Sequence, residues 1–180
     1  MDNEGQMTVG HRRPSFEKVY EQLFTLIYRV AYRITGQADS AEDMVQDAFI
    51  KYYENAHKIP DLEQSKYWLI RVVKNLSLNH EKRKGRERNA VDKIKKIPQR
   101  VEASAEEKII RQETQVVVQD ALNKLPHNLR SVLVLRDYAD MNYKEIGSTL
   151  NISEGNVKVR VFRAREKLAQ ILKEEEAHVS

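Results

Sequence analysis

The chain has 180 residues, a length for one ordinary domain or two small ones. It contains no cysteine, which excludes disulfides and thiolate metal centres, and its five histidines (His11, His57, His80, His127, His178) lack the short spacing of a metal pair. A net charge of +4 hints at a polyanionic partner, while the absence of any apolar run near the ~18 residues of a membrane span or of a signal-peptide core in Met1 to Ser15 points to a cytoplasmic, uninserted protein.

Apolar residues then recur at helical spacing. Phe16, Val19, Tyr20, Leu23, Phe24, Ile27, Val30, Ala31 and Ile34 form one stripe, and Gly36 is placed to cap its C-terminal end. Asp39 or Ser40 can cap a second helix carrying Ala41, Met44, Val45, Ala48, Phe49 and Tyr52. Pro60 sits in a break between Asn55 and Ser65, and Tyr67, Trp68, Leu69, Val72, Val73 and Leu76 mark a third helix. From Glu81 to about Gln112 apolar residues thin out and Pro98 intervenes, the composition of a mobile linker. Periodicity resumes at Glu113, breaks at Pro126, and continues through Leu129 to Leu135, Tyr143 to Leu150, and Glu154 to about Lys173. No alternating run long enough for a strand occurs. The expected fold is therefore all-α, with two small helical domains at 14–84 and 113–173, a flexible linker at 85–112, and polar tails at 1–13 and 174–180.

Charge is unevenly placed. Gln37 to Asn55 carries Asp39, Glu42, Asp43, Asp47 and Glu54 against one lysine, Lys51. Lys66 to Arg88 carries eight basic residues against Glu81 and Glu87. An acidic surface followed by a basic one suggests two different partners, although charged helix faces are often simply solvated.

Asn142 to Lys167 has the layout of a helix-turn-helix. Ile146 and Leu150 face inward from the first helix, Asn151 tolerates a left-handed turn, Ile152 plugs that turn, and Ser153 can cap the second helix. Val157, Val161 and Leu168 turn inward, which leaves Lys158, Arg160, Phe162, Arg163, Arg165 and Lys167 on the remaining faces. A helix of this kind fits the major groove, where its side chains meet base edges and its basic residues meet phosphates.

The segments Leu26 to Gly36, Asp39 to Lys51 and Lys66 to Asn75 resemble region 2 of the extracytoplasmic-function (ECF) group of the sigma-70 family. Leu125-Pro126, Tyr143 to Gly147 and Glu154 to Leu168 resemble region 4 of the same group, in the family's order and with its short linker. The resemblance implies an RNA polymerase sigma factor that binds core polymerase and directs promoter-specific initiation, with no catalysis of its own and no cofactor. It implies docking on the clamp helices of the polymerase beta-prime subunit through Glu42, Asp43, Gln46 and Asp47, with Phe49 favoured as core. For the −10 element it implies a flipped base near the loop His57 to Ser65, met by Lys66, Tyr67, Arg71, Lys74, Asn75, Asn79 and Arg83, with Trp68 favoured as core. For the −35 element it implies base contacts from Lys158, Val159, Phe162 and Arg163 and phosphate contacts from Arg160 and Arg165, with Arg136 and Lys144 adding backbone contacts. Contact with the polymerase beta flap and an inhibitory anti-sigma factor are further implied partners. Lys158-Val159 stands where relatives commonly carry a more polar pair, so the −35 preference is expected to differ.

Three other classes compete. A non-sigma helix-turn-helix regulator would use the C-terminal half alone and leave the acidic-then-basic pattern of 37–88 unexplained. An enzyme would need a phosphate loop, a nucleophile set or a metal cluster, and none is visible. A helical adaptor would have no use for the basic helix beginning at Glu154.

Overall fold

The computed structural model describes residues 13–90 and 106–179. Among them are seven α-helices, one 3-10 turn and no strand. The helices are α1 (Phe16–Thr35), α2 (Ala38–Asn55), α3 (Leu62–Ala90), α4 (Glu106–Lys124), α5 (His127–Asp137), α6 (Tyr143–Leu150) and α7 (Glu154–Val179), with the turn at Ala56–Lys58. The all-α expectation holds.

Ser15 starts α1 by accepting the Lys18 amide, and Gly36 ends it in a left-handed conformation (φ 69°), its N–H donating to the Tyr32 carbonyl. The stripe from Val19 to Ile34 is buried against Ala41, Val45, Ala48, Phe49 and Tyr52 of α2 and Leu69, Ile70 and Val73 of α3. The same buried cluster continues through α4 to α7 with Leu122, Val132, Leu135, Met141, Ile146, Val157 and Val161. Phe49 is core, as expected, and Trp68 packs half-buried, edge-on to Tyr52.

Several element ends differ from the sequence reading. Neither Asp39 nor Ser40 caps α2: the helix begins directly after Gly36 with Gln37 at the cap position, and Asp39 lies in the first turn. There its carboxylate complements the helix dipole instead. The third helix begins at Leu62, before Ser65, because Asp61 accepts the Gln64 amide and so acts as its cap. Past residue 84 it runs on to Ala90, since Lys, Arg and Glu propagate a helix well without apolar partners. Helix α4 starts at Glu106 rather than Glu113. The C-terminal residues expected to fray are helical to Val179, tied back by a Lys124–Glu175 ion pair of 2.5 Å.

The two helical units pack on each other across a polar seam. Arg130 of α5, 5% exposed, donates to the Ile34 carbonyl at the end of α1 (2.7 Å) and to the Asn123 and Leu125 carbonyls (2.9 and 3.0 Å). It also meets Glu81 of α3 at 3.4 Å. Beside it Arg33 donates to the Gln119 side chain (3.1 Å), and its guanidinium lies 4.9 Å from the Tyr138 ring centre. Gly36 approaches α4 so closely that a Cβ there would fall 2.2 Å from Asn123 Oδ1. Burial pushes the His127 imidazole below its ordinary pKa, so no second full charge competes with Arg130 at neutral pH.

Truncating Arg130 leaves three carbonyls and a carboxylate without their donor. Arg130→Ala is expected to lower unfolding stability in urea by about 2–4 kcal/mol, and Arg130→Lys to recover only part, because an ammonium cannot span the same fork.

Candidate nucleic-acid interface

The helix-turn-helix is built from α6 and α7. Asn142 accepts the Glu145 amide (2.9 Å) while Glu145 Oε2 accepts the Asn142 amide (2.7 Å), a reciprocal cap that fixes the start of α6. Asn151 adopts the left-handed conformation expected of it (φ 55°, ψ 49°), and Ser153 accepts the Asn156 amide at the start of α7. Gly147 makes the turn tight: a Cβ there would come within 2.7 Å of the Ile152 carbonyl oxygen.

Val157, Val161 and Ala164 anchor α7 in the core and dictate which faces remain. Lys158, Val159, Phe162 and Arg163 share the outward face, and Val159 and Phe162 are 46% and 63% exposed. Two large apolar side chains on a basic outward face need a partner with both charge and apolar surface. Arg160 is half-buried. Arg165 is turned toward α5, where it bonds Asp137 at 2.8 Å. Arg136 donates to the Met141 carbonyl (2.9 Å) and lies 5.4 Å from the Tyr143 ring, so it braces the turn into α6, whereas Lys144 is exposed.

On α3, Tyr67, Arg71, Asn75, Asn79 and Arg83 follow at four-residue steps and form one ridge, with Lys66 and Lys74 flanking it. Burial, reinforced by Arg71 and Lys82, lowers the Lys74 pKa. Asn79 and Arg83 share a groove of about 510 Å³ with Asp39, Asp43 and Asp47 of α2. The acidic and basic surfaces thus form two walls of one groove, with Glu42 and Gln46 exposed on the same acidic helix. The loop expected at His57 to Ser65 is much shorter. The 3-10 turn and the early start of α3 leave only residues 59–61, and Ile59 is buried.

Tyr67 does not face solvent alone. Its hydroxyl donates to Glu145 Oε1 of α6 at 2.5 Å and lies 3.3 Å from Glu63. The Glu145 carboxylate drives the Tyr67 pKa upward, and the same bond lowers that of Glu145. One ridge residue is therefore engaged by the first helix of the helix-turn-helix.

The sequence reading missed the Asn142/Glu145 cap, although Asn-x-x-Glu is its signature. It also missed a shallow groove of about 540 Å³ on α1 and α2, lined by Phe16, Tyr20, Gln46, Phe49, Ile50 and Tyr53. Ile50 and Tyr53 are 60% and 70% exposed, and the signal was their position between the stripe residues of an otherwise acidic helix. No group of His, Asp or Glu side chains among the described residues could hold a metal, and no helix there is long and apolar enough to cross a membrane.

Comparison with known proteins matches residues 19–87 to the family described as Sigma-70 region 2 and residues 115–168 to Sigma-70, region 4. The chain is 32% identical over 163 residues to the ECF RNA polymerase sigma factor SigE of Mycolicibacterium smegmatis, covering 88% of this chain and 62% of that protein. It is 31% identical over 156 residues to the ECF sigma factor SigW of Bacillus subtilis, covering 82% of this chain and 83% of that protein. In fold it is similar to the sigma factor RpoE of Bartonella quintana, solved with the anti-sigma factor NepR (TM-score 0.65, 23% identity, 85% of this chain and 95% of that one). It is also similar to CnrH, solved with the cytosolic domain of CnrY (TM-score 0.62, 20% identity, 88% and 87% covered).

Removing the amide cap at the start of the helix-turn-helix tests how far that element depends on it. Asn142→Ala is expected to cost about 1 kcal/mol, read as a lower urea midpoint, and to weaken duplex DNA binding in step.

Proposed function

The chain belongs to the extracytoplasmic-function group of the sigma-70 family of RNA polymerase sigma factors, and on that premise we propose how its own surfaces divide the work of promoter recognition. The acidic face of α2, with Glu42, Asp43, Gln46 and Asp47, docks on the clamp helices of the polymerase beta-prime subunit. Charge complementarity orients the encounter, and the neighbouring Ile50 and Tyr53 supply apolar area that charge alone lacks. The ridge on α3, with Lys66, Tyr67, Arg71, Lys74, Asn75, Asn79 and Arg83, follows the melted −10 strand: cations track phosphates, and amides read an unstacked base edge. The outward face of α7 enters the major groove of the −35 element. The nucleotide-transfer chemistry belongs to the polymerase, and this chain is no enzyme. A contact of α4–α7 with the beta flap and capture by an anti-sigma factor complete the set of partners. The latter is supported by the similarity in fold to a sigma factor solved with an anti-sigma factor.

The observation that carries this reading is the presence, in one chain, of a capped helix-turn-helix with a basic outward helix and a separate basic ridge beside an acidic helix. A regulator that only binds operators has no role for the second and third of these.

Transcription in vitro with core polymerase and pooled genomic promoter fragments is the direct test. Discrete start sites sharing two upstream elements are expected, and Arg163→Ala should weaken use of the −35 element by about 1–3 kcal/mol in apparent affinity. Absence of specific initiation, with tight duplex binding by the isolated chain, would instead identify an ordinary helix-turn-helix regulator.

Val159 and Phe162 add a finer expectation. The base-edge feature that apolar side chains can meet in the major groove is the thymine C5-methyl. Replacing −35 thymines by deoxyuridine should weaken binding about fourfold at a contacted position, the equivalent of ~0.8 kcal/mol for one buried carbon. Phe162→Ala or Val159→Ser should erase that difference at its own position.

A further inference from the structure

We propose that Asn156 reads an adenine of the −35 element, and that Gly155 beside it lets the leading end of α7 come close enough for so short a side chain to reach. The inference rests on the functional reading above and adds two residues to the DNA-reading face.

In the first turn of α7 every other side chain is committed inside the fold. Val157 is fully buried. Glu154 is turned along its own helix to Lys158, at 3.4 Å. Asn156 gives its backbone N–H to Ser153 Oγ (3.2 Å), but its side chain is exposed and makes no hydrogen bond among the described residues. Helix α6 differs: there Glu145, at the same third position, accepts the Asn142 amide in return and completes the cap. In α7 the cap is half-made, and a free side-chain amide is left on the surface.

Nothing inside the protein requires Gly155 either. A Cβ at Gly36 or Gly147 would strike Asn123 or the Ile152 carbonyl, whereas a Cβ at Gly155 would meet nothing within 4 Å. Glycine and asparagine are both poor helix formers, and here they stand side by side in the first turn of a 26-residue helix with no compensating contact in the fold. Their position supplies the reason. Gly155, Val159 and Phe162 are spaced i, i+4, i+7, and Asn156, Val159 and Arg163 i, i+3, i+7, so both residues extend the outward face toward its N-terminal end. That end of a recognition helix meets base edges in the major groove. A side-chain amide carries a donor and an acceptor side by side, the complement of the N7 acceptor and N6 amino group that adenine alone shows there. The amide of asparagine is attached directly to Cβ, so its backbone must approach the base closely, and a neighbour without a Cβ removes the obstacle.

Start sites found with core polymerase supply a promoter whose −35 element is then randomised, and the fragments bound by the holoenzyme are sequenced. One position is expected to prefer adenine about tenfold over other bases, and Asn156→Ala should abolish that preference there and nowhere else. Asn156→Asp, an acceptor only, should move it to cytosine, whose N4 amino group is the matching donor. Placing 7-deazaadenine at that position, which removes the N7 acceptor, should weaken wild-type binding about fivefold and leave Asn156→Ala unaffected. Gly155→Ala should keep or raise the urea midpoint while affinity for the selected promoter falls roughly tenfold, a split that a merely structural glycine would not give. Gly85→Ala is the control: its Cβ also meets nothing, but it lies on α3, so it should act on the midpoint alone. An adenine preference that Asn156→Ala leaves intact, the lack of any such preference, or an affinity that Gly155→Ala does not lower would overturn the proposal. A holoenzyme that initiates nowhere would instead sink the sigma-factor reading on which it rests.

Discussion

A single guanidinium organises this molecule. Arg130 is almost wholly withdrawn from water, a costly place for a cation, and its two terminal nitrogens are matched with acceptors while its Nε has none. Those acceptors are backbone carbonyls left over where helices end: Ile34 near the close of α1, and Asn123 and Leu125 at the α4–α5 turn. The negative ends of two helices are thereby neutralised by one side chain, and Glu81 adds a compensating charge from α3. A planar, forked donor can serve three elements at once, which a lysine cannot. Two helices of one unit, α1 and α3, and two of the other, α4 and α5, are fixed in relation to it.

The DNA-reading half depends on that placement less than on its own local rules. The reciprocal Asn142/Glu145 cap, the left-handed Asn151 and the Cβ-free Gly147 each specify the same turn independently. Local conformational preference and tertiary packing agree there, the condition under which a short helix such as α6, eight residues long, can persist. The recognition face is then chosen by subtraction, since Val157, Val161 and Ala164 must be inside.

Much of this was legible in the sequence, for physical reasons. The 3.6-residue stripes located all the core-forming helices, and Gly36, Asn151 and Ser153 were identifiable because backbone conformation and capping restrict residue type. What the sequence hid was of two kinds. Helix ends in charged stretches, such as Leu62, Ala90, Glu106 and Val179, carry no apolar signal, so α3, α4 and α7 are longer than their stripes. Contacts between the units also leave no periodic trace. Nothing in the neighbourhood of Arg130, Gln119 or Tyr67 announces a partner on the other unit, 96, 86 or 78 residues distant. Of the candidate site, the outward face of α7 followed from spacing and the residues of the ridge on α3 from the family resemblance, whereas the aromatic groove beside α2 and the engagement of Tyr67 required three dimensions.

The carboxylate of Glu145 has both oxygens committed, Oε2 to the cap of its own helix and Oε1 to Tyr67. Sequence drift at the two ends of that bond therefore has unequal effects. A change at position 145 alters the cap of α6 and its tie to α3 together, so neither can be adjusted without the other. Loss of the hydroxyl at position 67 removes the tie while leaving the cap intact. The tyrosine side of the contact is therefore free to vary, and the glutamate is held in place by a double obligation.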